Sequence, residues 1–328
     1  MRLSWDVDTA MPPPVQPDAM IRPLVTYFVE SREEAARAGF PVRADFLLAR
    51  VVTPEVVELL RQDAAAVAVA CYPGEHRMEE VLARLISAGV AVDVWVTLDR
   101  AHGYWQCRSN VAQTEAGVCR IAAWLDRSRL PVRAVGFDLE PHRALVEAAF
   151  AHSPRRIARE LMRVKRDSDA QKRFDRLVRD LAERMAVHLY VLPLVPDVPG
   201  LGWVLGTLAV PPGFLSSERN RVVRMLYTSL APFGRGSFVA RHLRQGLVPA
   251  LGVVGAESAD PGVSLRPDGA GGRPHLLSPA ELLRDVAAVV RWWRATASPA
   301  ELHVFALNGP GVITAVRAAM GRALAAPE

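Results

Sequence analysis

The sequence contains little cysteine, and none of it is spaced for a structural role. Cys71, Cys107 and Cys119 are the only three cysteines among 328 residues. Their number is odd and they lack the spacing of metal ligands, which argues against a disulfide framework and against a structural zinc site. We therefore expect reduced thiols, as in a cytosolic protein, and no cofactor.

The patterns of secreted precursors and membrane proteins are missing as well. Residues 1–20 contain no basic region followed by an apolar run, so they predict no signal peptide, and their prolines favour an extended arm. No apolar stretch reaches the roughly 20 residues that a spanning helix needs. The expectation is a cytoplasmic protein without a transmembrane segment.

An excess of positive over negative side chains occurs in only one region of the sequence. The net charge is +5, and residues 154–185 alone contain eleven Lys or Arg against six Asp or Glu. Since acids are interspersed there and aromatic residues are nearly absent, the region is typical of a solvated helical hairpin. An acidic partner is the alternative, and no nucleic-acid partner is expected.

Nucleotide-binding motifs are also absent. No G-x-G-x-x-G follows the first strand candidate and no phosphate loop occurs. Strand-like and helix-like stretches alternate along the whole chain instead, which indicates a mostly parallel sheet covered by helices. Nine stretches are strand candidates, and residues 46–52, the weakest, could equally lead into a helix. The strand candidates are residues 24–30, 46–52, 66–72, 90–98, 134–140, 189–195, 222–230, 249–254 and 302–307.

Eight of these strands would close an α/β (β/α)8 TIM-type barrel. We predict one such domain over residues 21–328. It carries a helical insertion at residues 143–185, after the strand that ends in D-x-E, and a Pro/Gly-rich, apolar rim loop at residues 196–215. The rim loop is expected to pack over the barrel mouth as a lid. A contact with a protein partner or a membrane is the alternative.

The strand at residues 134–140 has one apolar face and one face that ends in acids. Because side chains alternate along a strand, Gly136, Asp138 and Glu140 share a face. The opposite face suits a layer of helices, and Pro141 ends the hydrogen-bonded ladder. A barrel strand that carries chemistry at its carboxyl end would have this pattern. The alternative is that the acids only cap a helix or pair with arginines.

Other strand ends add acidic and aromatic side chains, whereas histidines are rare there. The strand-end residues are Glu30, Tyr72, Asp99, Asp138, Glu140, Asp197, Tyr227, Glu257 and Asn308. The loop after Asp99 adds Tyr104, Trp105 and Asn110. Carboxylates, amides and aromatic rings suit the hydroxyls and apolar faces of a sugar, whereas phosphate would require basic side chains. The pattern predicts a carbohydrate site at the mouth.

Two short motifs resemble the chitinase-type glycoside hydrolase barrels. Asp138-Leu139-Glu140 is similar to the end of the family's fourth-strand D-x-x-D-x-D-x-E motif, and Met225-Leu226-Tyr227 is similar to its sixth-strand M-x-Y motif. The resemblance implies that Glu140 is the general acid and Asp138 its partner. It also implies that Tyr227 binds the substituent on the second carbon of the sugar.

This chain departs from the family pattern at five places. Arg133 and Gly136 replace the first two aspartates, Thr228 replaces the acid after the tyrosine, and Asn308 stands where the family has a tryptophan. The stretch 94–99 also replaces a glycine-rich strand end. The resemblance therefore implies a sugar-active barrel rather than chitin in particular.

Glycoside cleavage needs one protonated carboxyl group and a second group that stabilises the positively charged transition state. Glu140 is the predicted acid, Asp138 its proton-sharing partner, and Asp99 the candidate second catalytic or orienting carboxylate. The expected sugar contacts are Glu30, Tyr104, Trp105, Asn110, Tyr227 and Asn308. Two alternatives stay open: a non-catalytic carbohydrate-binding or scaffold barrel, and a metal-dependent sugar lyase or isomerase.

Overall fold

The computed structural model shows a closed barrel of eight parallel strands. It describes residues 23–150, 153–164, 168–193, 195, 200–227, 235–252, 279–296, 300–307 and 309–326. The predicted arm at residues 1–20 lies outside these ranges. The strands are β1 Leu24–Val29, β2 Ala66–Cys71, β3 Ala91–Val96, β4 Ala134–Leu139, β5 Ala186–Val191, β6 Arg221–Leu226, β7 Val248–Leu251 and β8 Glu301–Val304. They pair in chain order, and β8 closes onto β1. The predicted (β/α)8 barrel is confirmed.

Helices connect the strands on the outside of the barrel. Within the described residues they are α1 Arg32–Arg37, α2 Arg43–Phe46, α3 Pro54–Gln62, α4 Met78–Ser87, α5 Val111–Ser128, α6 Arg143–Phe150, α7 Pro154–Arg163, α8 Ser168–Arg184, α9 Leu201–Leu205, α10 Arg235–His242, α11 Pro279–Thr296 and α12 Pro310–Ala325. A π-helical turn, Leu47–Val51, continues α2. The weakest strand candidate, residues 46–52, is therefore helical, which leaves the eight strands that close the barrel.

The region predicted as a helical insertion contains three helices with different roles. Helix α8 covers the outside of the barrel between β4 and β5. Its Phe174 packs edge-on against Phe137 of β4, with ring centroids 5.8 Å apart, and its Arg173 pairs with Glu115 of α5. Each barrel strand needs such a covering helix, so α8 is that helix and α6 and α7 are the additional pair.

Strand β4 has the two faces that its sequence predicts. Val135, Phe137 and Leu139 belong to the hydrophobic core between the strands and the helices. In the sheet, Gly136 pairs with Trp95 of β3, which lies inside the barrel. Gly136 and Asp138 therefore face the barrel interior, and Asp138 is placed at its carboxyl-terminal mouth.

A buried layer of charged side chains fills the opposite, amino-terminal end of the barrel. Arg133 binds both carboxylate oxygens of Asp93, at 2.8 and 2.6 Å. Glu301 accepts one hydrogen bond from Arg221 at 2.7 Å and pairs with the His303 ring at 3.2 Å. Arg133, one of the departures from the chitinase-type motif, thus neutralises a buried aspartate. Buried charges are tolerated when they are paired in this way.

This layer should make the fold sensitive to acid. Burial lowers the pKa of His188 to about 4, although the nearby Asp93 opposes the effect. In the unfolded chain the histidine binds a proton near pH 6.5, whereas in the folded protein it does so only near pH 4. The contribution of His188 to the free energy of unfolding is therefore fully present above pH 6.5 and is lost as the pH drops from 6.5 to 4. The expected loss is on the order of 3 kcal/mol. Denaturant titrations over this pH range should show a shallower decline for His188→Gln than for the wild type. Equal slopes would contradict the assignment.

Candidate active site

The mouth of the barrel holds a buried carboxylate that two phenols bind. Glu30 follows β1 and is 6% exposed. Its Oε1 accepts hydrogen bonds from the hydroxyls of Tyr104 and, at 3.3 Å, Tyr72. Burial, and after it the Glu30 charge, raises the pKa of Tyr72, so this phenol stays protonated and acts as a donor. Glu30 and Tyr104, both predicted as site residues, are therefore in direct contact.

A buried arginine that sequence reasoning missed supports this part of the mouth. The Arg43 guanidinium binds both carboxylate oxygens of Glu75, at 2.6 and 2.8 Å. It also donates to the main-chain oxygens of Glu30 and Ala70. Because these oxygens lie at the ends of β1 and β2, Arg43 ties the two strand ends together. It further lies 5.1 Å from the centre of the Tyr72 ring.

Asp138 and Glu140 lie in contact at the end of β4. Asp138 is 5% exposed, and its pKa is raised well above the usual range. The largest cause is burial, followed by the charge of Glu140, a hydrogen bond to the Glu140 side chain and the charge of Glu30. Two carboxyl groups in contact hold one proton more tightly than either would alone. The predicted sharing of a proton is therefore what this arrangement favours.

The loop after β3 forms the wall beside this pair, and Gln106 anchors it. The Gln106 main-chain N–H donates to the Asp138 carbonyl at 3.0 Å, and its side-chain oxygen accepts from the Asp138 N–H at 2.8 Å. Its amide nitrogen donates to the Val96 carbonyl at 3.0 Å. Gln106 is thus wedged between the ends of β3 and β4. This position brings Tyr104 and Trp105 into the interior of the mouth.

Tyr104 occupies a strained backbone conformation. Its φ is +69°, and Ser31, directly after Glu30, has a φ of +54°. For residues other than glycine this left-handed region costs free energy and is enriched at functional sites. The strained residues, Ser31 and Tyr104, thus lie in the two chain segments whose contact places the Tyr104 hydroxyl against the Glu30 carboxylate.

Tyr190 of β5 is a buried residue of the barrel interior that sequence reasoning did not select. It pairs with Asp138 in the sheet and packs against Phe28 with ring centroids 4.9 Å apart. The Tyr190 hydroxyl and Asp138 Oδ1 are both buried without a hydrogen-bond partner among the described residues. After burial, the charges that act most on the Tyr190 phenol are those of Asp93, Arg133 and Glu301, so this hydroxyl lies toward the amino-terminal charged layer. Buried polar atoms normally have partners, so Asp138 Oδ1 marks the place at the mouth where a polar ligand would be favoured.

Gly136 makes room for the Tyr190 ring, which gives a testable expectation. A Cβ atom at Gly136 would lie 2.7 Å from Cε2 of Tyr190. We expect Gly136→Ala to lower the free energy of unfolding by about 1–3 kcal/mol through overpacking. Gly321→Ala in α12 is the control, since an added Cβ there meets no atom within 4 Å. Chemical denaturation should show a loss only for Gly136→Ala, and a neutral result there would contradict the packing argument.

Two predicted site residues lie apart from the cluster of carboxylates. The Asp99 side chain is 51% exposed and pairs with Arg32 at 3.0 Å. Strand β3 ends at Val96, so the strand alternation that would have turned Asp99 inward does not reach it. Asn110 is buried, and its amide nitrogen donates to the carbonyls of His102 and Trp105 at 2.8 and 2.7 Å. It stabilises the loop that carries Tyr104 and Trp105.

The remaining predicted contacts complete an aromatic wall. Tyr227 is half-buried beyond β6 and packs against Phe305, with ring centroids 5.9 Å apart. Trp105 packs edge-on against Tyr104 at 5.2 Å. Asn308 lies outside the described residues. The rings that line the interior of the mouth are those of Phe28, Tyr72, Trp95, Tyr104, Trp105, Tyr190, Tyr227 and Phe305.

The predicted rim loop, residues 196–215, is described from residue 200 onward. Leu208 and Phe214 are buried, whereas Trp203, Val204 and Leu215 are exposed. The segment is fixed to the loop after β3, because the Arg108 N–H donates to the Gly206 carbonyl at 2.9 Å and the Arg108 guanidinium lies 4.8 Å from the centre of the Trp203 ring. This part of the rim packs onto the barrel. A contact between its exposed apolar side chains and a partner stays a prediction.

The described residues contain neither a metal-binding cluster nor a membrane-spanning helix. No group of three or more His, Cys, Asp or Glu side chains is placed there to hold a metal ion. None of the helices in the same part of the chain combines the length and apolarity required to cross a membrane.

The comparisons with known proteins give structural similarity only. No protein-family model matches this chain. No curated protein matches it either. The barrel is similar to a chitinase from Chromobacterium violaceum, with 10% identity, a TM-score of 0.47 and coverage of 93% of this chain and 100% of that chain.

Two other similar structures have different activities in their names. One is a fungal endo-β-N-acetylglucosaminidase of glycosyl hydrolase family 18, with 12% identity, a TM-score of 0.49 and coverage of 92% of this chain and 97% of that chain. The other is an L-ribulose 3-epimerase, with 12% identity, a TM-score of 0.42 and coverage of 91% and 90%. Similarities this distant assign no substrate and no activity to this chain.

Proposed function

We propose that the barrel mouth is the active site of a glycoside hydrolase-like enzyme that acts on a carbohydrate. Glu140 is the general acid and Asp138 holds the proton with it. The observation that carries this proposal is the contact between the buried Asp138 and the half-buried Glu140, in which burial and then the Glu140 charge raise the pKa of Asp138. A carboxylic acid that stays protonated near neutral pH is what cleavage of a glycosidic bond requires.

The proposed reaction uses this proton on the leaving group. Glu140 is half-buried, one residue beyond the end of β4, so its side chain is the more accessible member of the pair. It would donate a proton to the glycosidic oxygen as the bond to the anomeric carbon breaks. Asp138, which is more deeply buried, would share this proton with Glu140 before the transfer, through the hydrogen bond between the two carboxyl groups. Acid catalysis of this kind needs no cofactor.

The surrounding side chains suit a sugar. Trp105 and Tyr227 offer ring faces for the apolar side of a pyranose, and Asp138 Oδ1, which has no hydrogen-bond partner among the described residues, could interact with a sugar hydroxyl. Asp99 is assigned a substrate-orienting role at the rim, because its exposure and its pairing with Arg32 do not suit bond cleavage. Asn110 is assigned an indirect role through the loop that it stabilises.

A screen for hydrolysis tests this proposal. Wild-type protein is incubated with the 4-nitrophenyl glycosides of glucose, mannose and N-acetylglucosamine and with the corresponding tetrasaccharides. We expect at least one substrate to be cleaved with release of a reducing end. If oligosaccharides bind but none is cleaved, a non-catalytic carbohydrate-binding barrel replaces the enzyme. If none binds, the proposal is wrong.

The proton-sharing pair predicts a specific change in the pH–rate profile. With Asp138→Asn, Glu140 loses the neighbouring negative charge that helps it to retain its proton. The alkaline limb of kcat/KM should therefore move to lower pH, and the maximum rate should fall. Since Asn keeps the size of Asp, the fold should survive, which a thermal melt checks. An unchanged alkaline limb would show that the two carboxyls do not titrate together.

A further inference from the structure

We propose that helix α7 and the neighbouring helix α9 form a surface that binds an anionic phospholipid bilayer. The inference goes beyond the proposed function, because binding to lipid requires no reaction at the mouth. It rests on an excess of arginine on α7 and on exposed apolar side chains that α7 and α9 share. This basic–apolar surface consists of Arg155, Arg156, Arg159, Met162, Arg163, Trp203 and Val204.

The positive charge that the chain has in excess lies on α7 and directly after it. Residues 154–166 contain six Lys or Arg and one acid, and this surplus equals the net charge of +5 of the whole chain. The acid, Glu160, pairs with both Arg159 and Arg163, at 3.2 and 3.1 Å. The other two arginines of α7 have no acidic partner among the described residues. The surface therefore keeps a net positive charge, which suits a negatively charged partner.

The arginines of α7 face outward because the helix is amphipathic. Ile157, Leu161 and Val164, three to four residues apart, are half-buried against the protein. The opposite side holds exposed arginines and Met162, which is 79% exposed. Within Pro154–Arg163, which the structure describes in full, no residue is buried, and α8 rather than α7 covers the barrel between β4 and β5. The arginine-bearing side of α7 is therefore accessible to a partner.

Helix α9 supplies the other apolar side chains of the surface. Trp203 and Val204 are 42% and 43% exposed. The helix lies next to α7, since a Cβ atom added at Gly206 would be only 2.5 Å from Cγ1 of Val164, and the ends of both helices line the same cavity. The Arg108 guanidinium, 4.8 Å from the centre of the Trp203 ring, stabilises the position of the indole. The apolar and the arginine-rich parts of the surface are therefore adjacent.

The number and kind of these side chains favour a bilayer over a protein. Of the four large apolar side chains exposed in the described part of the chain, three belong to this surface, and the fourth, Leu215, lies just ahead of β6. Three such side chains are too few for the apolar centre of a stable protein interface, which buries about 800 Å² per partner. They suit shallow insertion among lipid headgroups, where tryptophan is favoured and where basic amphipathic helices bind anionic lipid.

Sedimentation with vesicles tests the role of the charge. Wild-type protein is mixed with vesicles of equal parts phosphatidylglycerol and phosphatidylcholine, or with vesicles of phosphatidylcholine alone. We expect binding to the anionic vesicles only, and weaker binding as the salt concentration rises. Arg155→Ala/Arg156→Ala should weaken this binding roughly 30-fold. Arg50→Ala/Arg61→Ala removes the same charge from two exposed arginines at α3 and the turn before it, so this matched control should bind like the wild type.

Tryptophan fluorescence tests the role of the apolar side chains. Insertion of Trp203 among headgroups should shift the emission of the wild type to shorter wavelength when anionic vesicles are added. Trp203→Phe should lose this shift and still sediment with the vesicles, because phenylalanine keeps an apolar ring at the surface. Trp203→Ser should bind less tightly than the matched control Leu215→Ser, which removes an exposed apolar side chain outside the surface.

Three results would overturn the inference: no sedimentation of the wild type with anionic vesicles, equal binding to neutral vesicles, or equal effects of the two double arginine variants. If the wild type ignores both kinds of vesicle and binds poly-L-glutamate instead, an acidic protein partner replaces the bilayer. Thermal melts check that the variants are folded. None of these measurements depends on hydrolysis, so the inference and the proposed function can fail separately.

Discussion

Glu140→Gln is expected to lower kcat by roughly 10²–10⁴-fold on a glycoside with a poor leaving group, with KM little changed. The amide has nearly the shape of the carboxylic acid but donates no proton to the glycosidic oxygen. The effect should therefore appear in the step that breaks the bond. Steady-state kinetics with a methyl glycoside of the identified sugar, or with its tetrasaccharide, measures this effect.

A leaving-group series makes the Glu140 prediction specific. A 2,4-dinitrophenyl leaving group departs without protonation, so Glu140→Gln should cleave such a glycoside at close to the wild-type rate. Loss of activity on both substrates would indicate damage to the site rather than loss of an acid. Unchanged activity on the methyl glycoside would rule out Glu140 as the general acid.

Arg43→Leu is expected to lower the free energy of unfolding by about 3–5 kcal/mol, because breaking a buried ion pair leaves its partner uncompensated. Arg43 is 6% exposed and holds Glu75 together with the main-chain oxygens of Glu30 and Ala70. Its removal should also displace Glu30 and Tyr72, so activity should fall together with stability. Urea denaturation monitored by circular dichroism measures the first effect.

Two further variants show whether the stability lost in Arg43→Leu comes from the buried ion pair with Glu75. Arg61→Leu removes an arginine from the exposed Arg61–Glu58 pair on α3 and should cost less than about 1 kcal/mol. Glu75→Gln in the Arg43→Leu background removes the unpaired charge and should restore part of the lost stability. Equal losses for Arg43→Leu and Arg61→Leu would contradict the role of Arg43 as the anchor of β1 and β2.

The barrel and its central strand could be predicted from the sequence, because both depend on local periodicity. Alternating side chains place Asp138 on the interior face of β4, and strand–helix alternation predicts the closed sheet. Arg43 could not be found in this way, since its carboxylate partner Glu75 is 32 residues away along the chain. A polar residue in a short helix carries no local signal that it will be buried.

The loop after β3 is a second place where the periodic sequence pattern did not predict the structure. Leu98 and Asp99 continue the alternating pattern, yet the strand ends at Val96. The chain then turns back, as the hydrogen bond from the Leu98 N–H to the Tyr104 carbonyl at 3.0 Å shows. The wedge that Gln106 forms against Asp138 ends the pairing of β3 with β4. Asp99 is exposed and Tyr104 lies in the mouth because of hydrogen bonds between distant segments. The local alternation of side chains in the sequence does not predict these positions.

The most direct measurement is a crystal structure of Glu140→Gln with the tetrasaccharide that the wild type cleaves. The account predicts that the side-chain amide at position 140 lies within about 2.6–3.2 Å of a glycosidic oxygen. It also predicts a sugar ring that contacts the aromatic wall of the mouth. A tetrasaccharide bound elsewhere, or an amide at position 140 that points toward the helix layer, would contradict the central claim.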